Sequence, residues 1–158
     1  MKAATVKEIK TELNNKSHQE ILNLCLHLSK FKKENKELLT YLLFEADNQE
    51  NFINNIKQEI DAQFNLINTK TFYFIKKSVR KILKRIKTYI RYSKNTETEV
   101  ELRLYFCYKL KNFNPSIKYN KVLNNLFLRE IEAIKKKVAI LHEDLQYDYK
   151  LELKELKH

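Results

Sequence analysis

KTFYFIKKSVRKILKRIKTYIRYSK, residues 70–94, decides how this chain is read. The stretch holds ten Lys or Arg and no Asp or Glu. The whole chain of 158 residues has 31 Lys and Arg against 20 Asp and Glu, for a formal charge of +11. Almost the entire imbalance therefore sits in one segment, and acids are missing from the wider run Ala62–Thr96. At about 100° per residue, Lys76, Lys77, Arg80, Lys81, Lys84, Arg85, Lys87, Arg91 and Lys94 share one half of a helical wheel. Ile75, Val79, Ile82, Leu83, Ile86, Tyr89 and Ile90 share the other half, and the two sets do not mix. The spacing predicts a helix over 71–93 with its apolar face on a core and its cationic face in solvent. Phe74 and Tyr92 fall in the cationic half, where an aromatic ring has no packing role. They are candidate stacking residues.

Three partners for such a face compete. In the first reading water is the only partner, and neighbouring acids such as Glu59, Asp61, Glu97, Glu99 and Glu101 partly neutralise the bases. In the second, Lys and Arg neutralise a nucleic-acid backbone without reading sequence, and exposed rings stack on bases. In the third the partner is a membrane surface or an acidic protein. Insertion into lipid is disfavoured, because the apolar face has the size and spacing a core needs and would have to leave the fold. The reading carried forward is a non-enzymatic polyanion-binding module, contacting a nucleic-acid backbone without strong sequence preference. The alternative is a protein–protein adaptor or scaffold using helix 97–111 or the C-terminal heptad face.

Outward from this segment, the rest of the chain also reads as helical. There is no Gly and one Pro, Pro115, so tight turns that need positive φ must use other residues or be avoided. Hairpin-rich sheets usually need such turns. An all-α single-domain bundle of six or seven helices over 1–158 is expected, with short α-solenoid-like helical hairpins as the alternative. Thr5-x-x-Glu8, Ser17-x-x-Glu20, Asp47-x-x-Glu50 and Thr96-x-x-Glu99 match the capping-box pattern at helix starts.

Ile21, Leu22, Leu24, Cys25, Leu28 and Phe31 cover more than half of a helix over about 18–32, which predicts a central position. Residues 35–46 are apolar nearly all round and are expected to be buried. Phe52, Ile53, Ile56, Ile60, Phe64 and Ile67 make a narrower stripe. In helix 97–111, Val100, Leu104 and Cys107 lie nearly opposite Leu102, Phe106 and Leu110. That helix is either sandwiched or presents a face to a partner. After Pro115 one long helix is expected from about Ile117 past Leu145. Its heptad-like face of Phe127, Ile131, Ile134, Val138, Leu141 and Leu145 should pack within a monomer. Leu24, Leu28, Leu39, Leu42, Ile82, Ile86, Leu104 and Ile134 are expected in the core.

Catalytic signals are absent from the pattern. Without Gly, no phosphate-cradling loop or dinucleotide-binding turn can form. His18, His27, His142 and His158 show no metal-ligand spacing with Cys or acids. Neither enzymatic activity, a metal site nor a cofactor is expected. Cys25 and Cys107 read as buried free thiols of a reducing compartment, although a disulfide between them stays open. The N-terminal MKAATVKEIKTEL lacks the apolar core of a secretory leader. The longest apolar stretch, Leu38–Phe44, is interrupted by Thr40 and is too short to span a bilayer. A cytoplasmic protein is expected.

The runs TVKEIKTEL, FKKENKELLTYLLFEAD, KKSVRKILKRIKTYIRYS, TEVELRLYFC and LHEDLQYDYKLEL together span most of the chain. They resemble an uncharacterised family of small all-helical proteins from Bacteroidota-type bacteria, with no assigned activity. The resemblance implies an intracellular helical protein. It carries over no catalytic or binding residues and adds nothing to the polyanion reading.

Overall fold

The computed structural model describes residues 1–157, and His158 lies outside them. The chain is all-α, with eight α-helices and no strand among the described residues. They are α1 (Val6–Asn14), α2 (His18–Phe31), α3 (Lys33–Thr40), α4 (Gln49–Asn65), α5 (Phe72–Ser93), α6 (Thr96–Lys111), α7 (Lys121–Val138) and α8 (Glu143–Lys157). A π-helical turn, Tyr41–Glu45, follows α3, and a 3-10 turn, Ile117–Tyr119, precedes α7. The helices gather into two compact units, residues 1–44 and residues from Glu45 onward.

Side-chain caps start α1, α2, α4, α6 and α7, whereas Lys32 and Thr71 make no such bond before α3 and α5. Thr5 and Ser17 form complete capping boxes with Glu8 and Glu20. The other two starts differ from expectation by one residue. Asn48, not Asp47, caps α4 by accepting the Asn51 N–H at 3.0 Å. Asn95, not Thr96, caps α6 by accepting the Thr98 N–H at 3.0 Å. Asn is as good a cap as Asp and better than Thr, so the better-placed side chain wins.

The second unit contains nearly all of the core. Helix α6 packs against α4, α5, α7 and α8. Both of its apolar stripes are therefore buried: Val100, Leu102, Phe106, Cys107 and Leu110 have no exposed surface, and Leu104 has almost none. The stripe of α4 is buried as the spacing predicts, from Phe52 to Phe64 and on to Ile67. Ile75, Val79, Ile82, Leu83, Ile86 and Ile90 of α5 are buried, as is Ile134 of α7.

Three expectations are corrected. First, α2 is not central: α1, α2 and α3 bury none of their own residues. Leu24, Leu28 and Leu42 are exposed, Leu39 is half-buried, and Cys25 is an exposed thiol. Residues 35–46 follow the same pattern, with Leu43 and Phe44 exposed and Tyr41 alone among the large apolar residues of 1–44 buried. A unit of 44 residues has too little chain to close a core on itself, and α2 has α3 as its packed neighbour there. Cys107 is buried and, like Cys25, free.

Second, the long C-terminal helix is two helices. Helix α7 ends at Val138, where the Ile140 and Leu141 N–H groups turn back to Lys137 and Val138 carbonyls at 3.2 and 3.1 Å. The Gln146 amide then donates to the Leu141 and Ala139 carbonyls at 2.9 and 3.3 Å. Main-chain N–H groups of the link thus meet the last α7 carbonyls, and the Gln146 side chain meets carbonyls of the link itself. Third, Tyr92 is buried, as described below.

Helix α5 ends at Lys94, whose φ of 49° and ψ of 22° lie in the left-handed region. Its N–H donates to the Ile90 carbonyl at 3.0 Å. Such a conformation costs a non-Gly residue about 1–2 kcal/mol. Gly adopts it freely, but gives back about 0.5–1 kcal/mol in unfolded-chain entropy. Lys94→Gly is expected to raise the stability of the chain by about 0.5–1 kcal/mol in urea titration. A measured loss would show that the Lys94 side chain contributes more than the strain costs.

Candidate polyanion-binding face

The cationic half of α5 stands away from the core, as its wheel predicts. Lys77, Arg80, Lys81, Lys84, Lys87, Arg91 and Lys94 are exposed, and Lys76 and Arg85 are half-buried. Along this face runs a shallow groove of about 470 Å³, lined by Arg80, Leu83, Lys84, Lys87, Thr88 and Arg91. Leu83 and Thr88 are themselves buried, so the four cations rise around a closed floor. From Arg80 to Arg91 the groove spans about 16 Å of helix axis. The Thr88 hydroxyl donates to the Lys84 carbonyl at 3.2 Å and accepts from Arg91 Nη2 at 3.3 Å. That contact holds the Arg91 guanidinium across the groove.

Which acids meet these bases decides how strong the field is. Of the five acids expected to neutralise the face, only Glu59 reaches it, at 3.6 Å from Arg85. Arg85 also stacks over the Tyr89 ring, 4.4 Å from its centroid. Asp61 is taken by Lys109 at 2.9 Å and by the Tyr105 hydroxyl at 2.7 Å. Glu101 is taken by Lys57 at 2.9 Å. Glu99 pairs with Arg103 at 2.8 Å and Lys137 at 3.0 Å. Glu97 accepts a hydrogen bond from the Tyr149 hydroxyl at 3.4 Å. Among the described residues, Lys76, Lys77, Arg80, Lys81, Lys84, Arg91 and Lys94 have no carboxylate within 4.0 Å. At closer than a Debye length these charges reinforce one another, and salt screens them from distant acids.

One base is engaged by an acid that the sequence does not point to. Lys87 lies 3.0 Å from Glu130 of α7, whose other oxygen is held by Arg103 of α6. Glu99, Arg103 and Glu130 are nearly enclosed, and the chain Lys87–Glu130–Arg103–Glu99–Lys137 ties α5, α6 and α7 together. Burial raises the Glu99 carboxyl, but hydrogen bonds and charge from Lys137 and Arg103 outweigh it and hold it below the ordinary value.

The two candidate stacking rings part company. Phe74 is exposed and makes an edge contact with Tyr73, ring centroids 5.4 Å apart. Tyr92 is buried against Tyr89, centroids 6.2 Å apart, so its ring is closed to a base. Phe74 and Tyr92 share one wheel angle, about five turns apart, so the difference is local: Tyr92 packs on Tyr89 near the end of α5. Tyr73, 65% exposed, replaces it as the second accessible ring. Its signal in the sequence is its place one turn before Lys76 and Lys77 on the same wheel half.

No helix among the described residues is long and apolar enough to cross a membrane. No group of three or more His, Cys, Asp or Glu is placed to hold a metal ion among those residues. Compared with models of known families, with curated proteins and with solved structures, the chain matches none.

Proposed function

We propose that the chain is a non-enzymatic polyanion-binding module that grips a nucleic-acid backbone through α5. The single observation that carries this reading is the groove rimmed by Arg80, Lys84, Lys87 and Arg91, of which only Lys87 has a carboxylate partner among the described residues. Four cations placed about one turn apart track successive phosphates. The buried face of the same helix fixes their positions. Contacts of this kind position a duplex or strand and read no bases. Tyr73 and Phe74 at the start of α5 add a stacking platform for unpaired bases.

Fluorescence anisotropy with labelled single- and double-stranded oligonucleotides tests the proposal. Three to four neutralised phosphates give a slope of log K against log salt of about −3 to −4 for a duplex. Lys84→Glu with Arg91→Glu should weaken binding to every sequence alike. Tyr73→Ala with Phe74→Ala should weaken binding of single strands more than duplexes. No binding below about 100 μM at low salt, from folded protein, overturns the proposal.

A protein-interaction role is favoured by a different observation. In residues 1–44, Leu24, Leu28, Phe31, Leu42, Leu43 and Phe44 are exposed at 43% to 77%. Large apolar surface of that kind marks an interaction site. Sedimentation over the micromolar range separates its outcomes. A monomer keeps this surface for another protein. A dimer abolished by Leu28→Glu with Phe31→Glu assigns it to a second copy.

A further inference from the structure

A second concavity of the larger unit, about 600 Å³, lies between α6 and α8 with Lys57 of α4 at its edge. None of its lining residues is on α5. Its charge is opposite in sign to that of the chain. Glu101, Asp148, Glu152 and Glu155 line it, against Lys57 and Lys111. Lys57 is committed to Glu101 at 2.9 Å. Lys111 donates to the main-chain carbonyl of Glu155 at 2.8 Å, not to a carboxylate. Among the described side chains, which end at Leu156, the carboxylates of Asp148, Glu152 and Glu155 have no cation within 4.0 Å. In a chain of net charge +11 this cleft is lined by four acids against two bases.

The remaining wall is aromatic and apolar. Tyr105, Tyr108 and Tyr149 contribute rings, and Leu104, Leu145 and Leu156 contribute aliphatic surface. Lys57 demonstrates what this lining does with an ammonium group. It sits between the Glu101 carboxylate and the Tyr105 ring, 5.5 Å from the ring centroid. Charge and ring face together hold a cation better than either alone. The half-exposed Tyr108 ring and the three unpaired carboxylates of α8 repeat those ingredients. Partial burial, and then the negative charge of Glu101, raise the Glu152 carboxyl above its ordinary value. Burial is the larger of these two causes, and the positive charge of Lys57 opposes them in part.

Ligand class follows from spacing. Asp148, Glu152 and Glu155 follow one another at i, i+4 and i+7 on α8. Their backbone positions rise by about 6 Å and then about 4.5 Å along the axis. Ammonium groups joined by three- and four-methylene spacers match that series, and the methylenes lie against Tyr and Leu surface. The volume is that of an ordinary small-ligand site. We propose that this cleft binds an aliphatic polyamine. The cationic face of α5 does not forbid it, because physiological salt screens charges beyond about 8 Å.

The test is isothermal titration calorimetry of the full chain, freed of nucleic acid, with spermidine at about 0.15 M salt. A dissociation constant between about 10 μM and 1 mM is expected. Glu152→Gln with Glu155→Gln removes carboxylates that hold no ion pair among the described side chains, so it should fold normally by circular dichroism and bind at least about tenfold more weakly. Magnesium at equal concentration should not displace spermidine, since a point cation gains nothing from the rings and leucines. The proposal is overturned by any of four results from folded protein. These are no heat of binding at millimolar spermidine, unchanged binding in the double variant, equal competition by magnesium, or a lysine-rich peptide bound more than about tenfold tighter than spermidine.

Discussion

Arg103→Met is expected to destabilise the chain by about 3–5 kcal/mol, because it breaks a buried ion pair on one side only. Arg103 stands between Glu99 and Glu130, which are 8% and 5% exposed. Without it both carboxylates stay in the interior with only Lys137 and Lys87 at their outer edges. No enclosed side-chain nitrogen or oxygen lacks a partner among the described residues, so the substitution creates a defect where none exists. Adding Glu130→Met should recover part of the loss, since an apolar pair removes the stranded charge together with its partner. The same network sets the acid limb of stability. The Glu99 carboxyl is depressed in the folded chain, so its contribution is present in full above the ordinary carboxylate value and is lost as pH falls through the folded value. Urea titrations at neutral and acid pH measure both effects. A loss below about 1 kcal/mol at neutral pH would show that Lys137 and Lys87 suffice to hold the two acids.

Ile86→Ala is expected to cost about 2–5 kcal/mol, whereas Leu28→Ala should cost under about 0.5 kcal/mol. Both residues are aliphatic and both lie on strongly apolar helix faces. Ile86 is 1% exposed on α5, and its truncation leaves a cavity among packed neighbours. Leu28 is 57% exposed on α2, and its truncation leaves water. Far-ultraviolet circular dichroism during urea unfolding measures the pair side by side. Equal costs would mean that the exposed apolar surface of residues 1–44 is covered in solution.

That contrast also marks how far the sequence can be read. Apart from Thr88 and Tyr92, the α5 wheel separates core from cationic face, because 22 helical residues give the period room to declare itself. The α4 stripe is equally plain. Periodicity tells which side of a helix is apolar, but not whether chain exists to cover it, and α2 lacks such a cover. The end of α7 is hidden for another reason. Neither Gly nor Pro marks it, and its last carbonyls are met by the main-chain N–H groups of Ala139, Ile140 and Leu141. At the candidate site, the cations are legible and their partners are not. Glu130 lies in a helix far along the chain from Lys87, and only packing brings the two to 3.0 Å. Tyr92 shows the limit of the wheel itself, where a position at the edge of one half is settled by its neighbour Tyr89.

The two free thiols differ in a way that gives the chain an internal clock. Cys25 is open to solvent, while Cys107 is fully enclosed, with its thiol pushed up by burial and then by the charge of Glu130. The thiolate attacks an alkylating reagent and displaces its leaving group, so the native protein should consume one equivalent at once and the second only when the larger core opens. The lag between the two equivalents therefore reports the opening of that core under native conditions, without denaturant. A dye placed on Cys25 leaves the core thiol in place to keep time.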